Sequence, residues 1–121
     1  VEIFGALMSA GANILRYTHA GDSVLHVCCQ KASDRHFELL QSILVIDQLA
    51  EEKFLATLAS AMNSFGGTAI HGAALNGNYR AIEKIASCIE DSTKLSKILN
   101  SQDYDGLTAL HCCCRGISSK R

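Results

Sequence analysis

Three short phrases with one internal spacing restrict this chain more than its composition does: GDSVLH (21–26), GGTAIH (66–71) and GLTALH (106–111). A glycine stands five residues before each histidine, at Gly21, Gly66 and Gly106. A hydroxyl residue stands three before it, at Ser23, Thr68 and Thr108, and an aliphatic one before it, at Leu25, Ile70 and Leu110. Small pairs follow: Cys28-Cys29, Ala73-Ala74 and Cys113-Cys114. The histidines, His26, His71 and His111, lie 45 and 40 residues apart. Self-similarity at such a period points to stacked supersecondary units.

Each position has a physical reading. Glycine enters turn geometries that side chains disfavour. Ser or Thr caps a helix by accepting a bond from an otherwise unpaired backbone N–H. The aliphatic anchors the first helical turn, and the small pair lets neighbouring helices approach, cysteine acting as a small, readily buried hydrophobe. A second helix follows. Ile82, Ile85, Ala86 and Ile89 fall on one helical stripe, and Phe37, Leu40 and Leu44 do the same in the earlier copy. Asn76-Gly77-Asn78 supplies the break between the two helices.

In these residues the chain resembles the ankyrin-repeat family, whose phrase G-x-T-P-L-H-x-A-A-x-x-G is matched here by GGTAIHGAALNG. LNSQDYDGLTALH (99–111) resembles the family's connection between repeats, and LMSAGAN (7–13) the close of an earlier one. The resemblance implies an all-α solenoid of stacked helix-turn-helix units with projecting loops. It divides a single domain, 1–121, into the end of a repeat (1–13), repeats with insertions at 21–63 and 64–101, and the start of another at 102–121. It also implies that the histidine bonds the backbone and ties its turn to adjacent structure.

The periods exceed the roughly 33 residues of an ordinary ankyrin repeat. The surplus falls after the second helices. Residues 48–62 carry Phe54, Leu55, Leu58 and Met62 at helical spacing behind Asp47, the expected cap, and residues 92–99 form a shorter helix. Counting back from the histidines to an asparagine reaches Asn13, Asn63 and Asn100, so the turn before the middle copy is expected to be clipped.

Several functions are disfavoured. A net charge of −1 lacks the positive field of a nucleic-acid binder, and the tail SSKR adds two charges, not a patch. No apolar run approaches the roughly 20 residues of a membrane span. The chain opens on Val1 and is expected to be a piece of a longer protein. Five of its six cysteines lie in adjacent runs that suit neither a disulfide framework nor zinc spacing, which points to reduced thiols and a cytoplasmic or nuclear home. Zinc held by His26 with Cys28 or Cys29 and by His111 with Cys113 or Cys114 is weighed against the alanines in the same slots of the middle copy; packing accounts for all three. A nucleophilic cysteine would need an activating base and an oxyanion site, and the pattern supplies no pocket for them. No cofactor, metal or catalytic residue is expected. His19 and His36 fall outside the motif and read as surface or loop residues.

Stacked helices make an extended surface suited to macromolecules. The resemblance places partner contacts on the loops and the ends of the first helices: His19, Asp22, Gln30 and Lys31, then Phe65, Leu75 and Asn76, then Gln102, Tyr104, Asp105, Leu107 and Arg115. The expected function is a non-enzymatic protein-interaction module. GDSVLH and YDGLTALH are similar to phrases in the ankyrin domains of Rel/NF-κB inhibitors, which would make the partner a transcription factor. A signalling partner, a scaffold segment of a multidomain protein and self-association through uncapped repeat ends are the other expectations.

The family's proline falls at Val24, Ala69 and Ala109, the first helical position, where a fixed φ is compatible with the helix. Ala69→Pro and Ala109→Pro should each raise stability by about 0.4–1 kcal/mol. A lower melting temperature in the double variant would refute these helix starts.

Overall fold

The computed structural model describes residues 2–119; Val1, Lys120 and Arg121, including the charged end of the basic tail, lie outside the described residues. Among the described residues the secondary structure is eight helices with no strand: α1 (Glu2–Ser9), α2 (Val24–Cys29), α3 (Asp34–Leu49), α4 (Leu55–Ser60), α5 (Ala69–Leu75), α6 (Tyr79–Cys88), α7 (Ser92–Leu99) and α8 (Ala109–Ser119).

Five-residue turns lead into α2, α5 and α8: Thr18–Asp22, Asn63–Gly67 and Asp103–Leu107. In each, the first residue's N–H donates to the fifth residue's carbonyl at 2.9 Å, and the fourth residue's N–H donates back to the first carbonyl at 2.9 Å. The first side chain then accepts the fifth N–H, at Thr18 Oγ1 (3.1 Å), Asn63 Oδ1 (3.0 Å) and Asp103 Oδ1 (2.9 Å). The fourth residue is Gly21, Gly66 or Gly106, at φ +82°, +77° and +79°, a region most side chains avoid.

This corrects the expected register. The turn-forming residues are Thr18, Asn63 and Asp103, each eight before its histidine, so the middle turn is not clipped. Asn13 belongs to a separate bend, accepting from Leu15 N–H, and Asn100 is the C-cap of α7. Carboxylate, amide and hydroxyl oxygens all serve this turn, so asparagine alone is a poor marker for it.

Ser23 and Thr68 are N-caps, each in a reciprocal box with the histidine three residues on. The ring takes the place that Glu or Gln usually fills. Ser33 caps α3 with His36, so His36 is not a loop residue; it is half-buried in the first turn of α3.

The surplus after α3 is helical, as expected, but Asp47 caps it from a distance. Asp47 lies within α3, is buried, and accepts from the N–H groups of Phe54 (2.8 Å) and Leu55 (2.9 Å) at the start of α4. Lys53 donates to the carbonyls of Asp47 and Gln48, closing the end of α3. Asp91 caps α7, the second surplus segment.

α2 packs on α5 and α5 on α8; α3 lies beside α6, and α4 touches α5 and α7. Leu25, Cys29, Leu40, Leu44, Leu58, Ile70, Ala73 and Ile85 form the centre of the core. In the third copy two expectations are overturned. Leu110 is 77% exposed, and Cys113 and Cys114 are exposed, because no described element lies beyond α8 to cover them. Cys112 is the buried thiol there.

Backbone bonds join neighbouring turns in one register. Ser64 N–H donates to the Ala20 carbonyl (2.8 Å), and Tyr104 N–H to the Phe65 carbonyl (3.0 Å). A Cβ on Gly66 would lie 2.6 Å from the Tyr104 ring and 2.8 Å from its backbone nitrogen, whereas one on Gly72, within α5, would meet nothing. Gly66→Ala should therefore cost about 1–3 kcal/mol through backbone strain and overpacking. Gly72→Ala should stabilise by about 0.5–1 kcal/mol, since glycine is the weaker helix former. Thermal unfolding of the two variants checks the pair; equal melting temperatures would contradict this packing.

Candidate interaction surface

The tips of the three turns stand in a row: His19-Ala20, Ser64-Phe65 and Tyr104-Asp105. The interturn bonds run along this row, so the tips are registered by backbone rather than by flexible side chains. Phe65 is 76% exposed and Tyr104 73%, and they are adjacent through the bond between their backbones. His19 and Asp105 flank them, also exposed. The Tyr104 ring lies over Gly66, which fixes its direction.

The other residues named from the sequence divide by what they already hold. Asp22 is half-buried and accepts from Asn63 Nδ2 at 3.1 Å. Leu107 is half-buried; its N–H goes to Asp103 and its carbonyl to His71. Gln102 donates to the Gly106 carbonyl, and the carbonyl of Lys31 accepts from buried Asn78. Gln30 and Asn76 are the C-caps of α2 and α5. Leu75 and Arg115 are exposed on α5 and α8. The structure therefore gathers His19, Phe65, Tyr104 and Asp105 on the turn tips, holds Asp22, Gln102 and Leu107 by bonds within or between the turns, and leaves Gln30, Lys31, Leu75, Asn76 and Arg115 on or at the ends of helices.

The histidines do not converge. Nδ1 of His26 accepts the Ser23 N–H (3.0 Å), and Nδ1 of His71 accepts the Thr68 N–H (3.1 Å). An acceptor Nδ1 places the ring proton on Nε2. His26 Nε2 then donates to the Gly67 carbonyl (2.9 Å), and His71 Nε2 to the Leu107 carbonyl (2.8 Å), each in the next turn. Sequence reasoning missed a further grouping: ligating atoms of His71, Asp103 and Cys112 lie within 4.8 Å of one another. Both His71 nitrogens are committed, so a metal here would have to break the bond that joins two turns. Asp103 appeared in the sequence only as part of a loop phrase, and Cys112 lies outside the small pair, so neither carried a signal.

Burial raises the Cys28 thiol from its ordinary 9.0 to about 11. Burial, and secondarily the neighbouring Cys28, raises Cys29 to about 12. Cys112 is raised by burial first and then by the Asp103 carboxylate, with Arg115 opposing. Nucleophilic cysteines are shifted the other way.

Comparison with known proteins gives distant relatives. The chain is 28% identical over 130 aligned residues, 91% of its length, to the E3 ubiquitin-protein ligase XBAT33 of Arabidopsis thaliana, and spans 23% of that protein. It is 30% identical over 79 residues, 51% of its length, to the NAD-dependent deacetylase sir2B of Dictyostelium discoideum, and spans 10% of that one. No family model matches the chain.

At pH 8 a thiol reagent should modify exposed Cys113 and Cys114 quickly in the folded protein and leave Cys28 and Cys29 untouched; all six should react in urea. Folding holds Cys28 and Cys29 protonated, so their contribution to stability is full below pH 9.0 and falls as pH rises through about 11 and 12. Peptide mapping after a brief alkylation reads the order, and rapid labelling of Cys28 or Cys29 in folded protein would overturn it.

Proposed function

We propose that the chain is a non-enzymatic protein-interaction module, an ankyrin-type solenoid that binds a partner protein through its row of turn tips and the adjoining first-helix face. The observation that carries this reading is the exposure of Phe65 and Tyr104 side by side on turns joined by a backbone bond and by the His71 imidazole. Exposed aromatics are favoured interface anchors, and anchors held rigid before binding lose little freedom on association. The ankyrin assignment draws on the three matching turns, the capping histidines and their bonds into the next turn.

The raised thiols and committed imidazoles support a binding role over a cysteine-dependent enzyme. The similarity to a ubiquitin ligase agrees with recognition of protein, and the small share of each relative that the chain spans favours a recognition or scaffold segment within a longer protein. Six free thiols suit the reducing cytoplasm or nucleus. No described helix is long and apolar enough to cross a membrane. A Rel-type transcription factor is proposed as one partner on the strength of the GDSVLH and YDGLTALH phrases.

Affinity capture with the chain and with the double variant Phe65→Ala/Tyr104→Ala tests the module reading. Proteins held by the unaltered chain should be lost from the variant, with affinity reduced about thirty-fold or more and helicity unchanged. A purified Rel-homology domain is the named probe for the specific partner, and no binding at micromolar concentration would remove it. Identical capture by both forms would defeat the tip-row reading itself.

A further inference from the structure

Arg80 of α6 is held at the surface by two partners at once. α3 carries Asp34 and Phe37 three residues apart, and the arginine takes both. Its guanidinium carbon stands 4.5 Å from the centre of the Phe37 ring, and its Nη2 is 2.9 Å from Asp34 Oδ1. A ring face attracts a cation at this range. A planar guanidinium can stack on the ring while its N–H groups reach a carboxylate. The row of tips presents the same two kinds of partner without the arginine. Phe65 and Tyr104 stand side by side, and Asp105 follows Tyr104 in the same turn. The Asp105 N–H donates to Asp103, but its exposed carboxylate is in no ion pair among the described residues.

Exposure at these positions belongs to the tip and not to the end of the row. Ser64 and Phe65, the counterparts of Tyr104 and Asp105, have a turn on either side and are exposed as well. The charge of the turns is also one-sided. The chain has 11 basic residues against 12 acidic, yet the turns 18–22, 63–67 and 103–107 hold Asp22, Asp103 and Asp105 and no lysine or arginine. Asp22 accepts from the Asn63 amide, and Asp103 accepts two backbone N–H groups of its own turn. These donors are neutral and leave the negative charge in place. Arg16 precedes the first turn, at the opposite end of the row from Asp105. Arg115 of α8 acts on Cys112 against Asp103.

We propose that the partner docks on the tips through a basic segment, with the guanidinium of one arginine stacked on the Phe65–Tyr104 pair and donating to the Asp105 carboxylate. This rests on the tip-row reading of the interaction surface and adds the chemistry of what is recognised. The rings supply contact area. The carboxylate sets the sign of the charge and favours a planar, forked donor over a point charge. Asp22 and Asp103 add attraction for positive charges that flank the arginine. An acidic segment would meet Asp105 as a like charge, and an apolar one would bury it without a partner. Discrimination therefore comes from the same surface that supplies the contact.

Fluorescence anisotropy with labelled peptides of equal length tests this, serine alternating with arginine, with lysine or with citrulline, the neutral counterpart of arginine. The arginine peptide should bind, the lysine peptide about five-fold more weakly, and the citrulline peptide about thirty-fold or more weakly. Asp105→Asn should weaken arginine binding about ten-fold, and Phe65→Ala/Tyr104→Ala by about as much. These side chains are exposed, so helicity should be unchanged by circular dichroism. Tyr104→Phe keeps the ring and should bind as the unaltered chain does. Glu51→Gln removes an exposed charge outside the turns and should also leave binding unchanged, which separates this contact from attraction by net charge. An arginine peptide that fails to bind at about 1 mM, arginine and citrulline peptides that bind alike, unaltered binding by Asp105→Asn, or an equal loss in Glu51→Gln would each overturn the proposal. If that happens while proteins are still captured through Phe65 and Tyr104, the tip row stands and its cationic chemistry falls. If the double aromatic variant captures the same proteins as the unaltered chain, the tip row itself falls.

Discussion

One imidazole in each of the first two units, His26 and His71, carries the architecture, because its two nitrogens face opposite tasks. Nδ1 takes the backbone N–H of the capping residue, and Nε2 gives a proton to a carbonyl in the following turn. A glutamate at that position could complete the capping box but has no proton to donate onward. A glutamine carries its acceptor and donor on one carbon of a flexible chain, whereas the imidazole sets its two nitrogens at separate, outward-diverging positions of one rigid ring. The ring joins helix start, turn and neighbouring turn in one buried group. Buried polar groups stabilise only when their bonds are made, and here the bonds are the contacts between units. No buried side-chain nitrogen or oxygen among the described residues lacks a partner.

From this follows the character of the surface. A turn held by three internal bonds, stitched to its neighbour by a backbone bond and fastened from below by an imidazole, has little freedom at its tip. The tip residues can vary because the bonds that fix the turn are mostly backbone bonds: His19, Ser64 and Tyr104 occupy one position with unlike side chains, yet Ser64 and Tyr104 both donate their N–H in the same register. Side chains at such positions are free to serve recognition. Cohesion is left to the buried histidines and to Cys28 and Cys29, whose raised thiols behave as packing groups.

Much of the fold was legible because the spacing from glycine through hydroxyl to histidine encodes local geometry: a left-handed turn residue, a cap and its reciprocal partner. The starts of α2, α5 and α8, the break at Asn76-Gly77-Asn78 and the helical character of both insertions follow from such local rules. The rest depended on partners distant in sequence. Thr18, Asn63 and Asp103 differ in side chain and share only an oxygen at a fixed offset, so a search for asparagine misaligned the turns. Asp47 reads as a helix cap, but it caps a helix that starts eight residues later, across a corner that Lys53 closes. Leu110, Cys113 and Cys114 carry the buried pattern of their counterparts and are exposed because burial belongs to the neighbour, not to the residue. Of the candidate surface, the tip positions could be read from the turn pattern; the adjacency of Phe65 and Tyr104 could not, since it rests on a bond between residues of different units.

The unequal periods show how such a stack tolerates insertion. The two units differ in length after their second helices, yet every turn begins eight residues before its histidine. The register is therefore set afresh at each turn and does not accumulate error from what precedes it. The inserted segments meet their own needs: α4 takes its N-terminal bonds from Asp47 and α7 from Asp91. They also bury apolar surface of their own. Leu55, Leu58 and Ala59 of α4 and Ile98 of α7 all join the common core, and α4 lies against α7 as α2 lies against α5. An insertion capped by a nearby carboxylate and packed on the insertion of the next unit adds further helices beside the first two sets. The turns, and the tips they present, keep the same internal bonds and the same bond to the neighbouring turn.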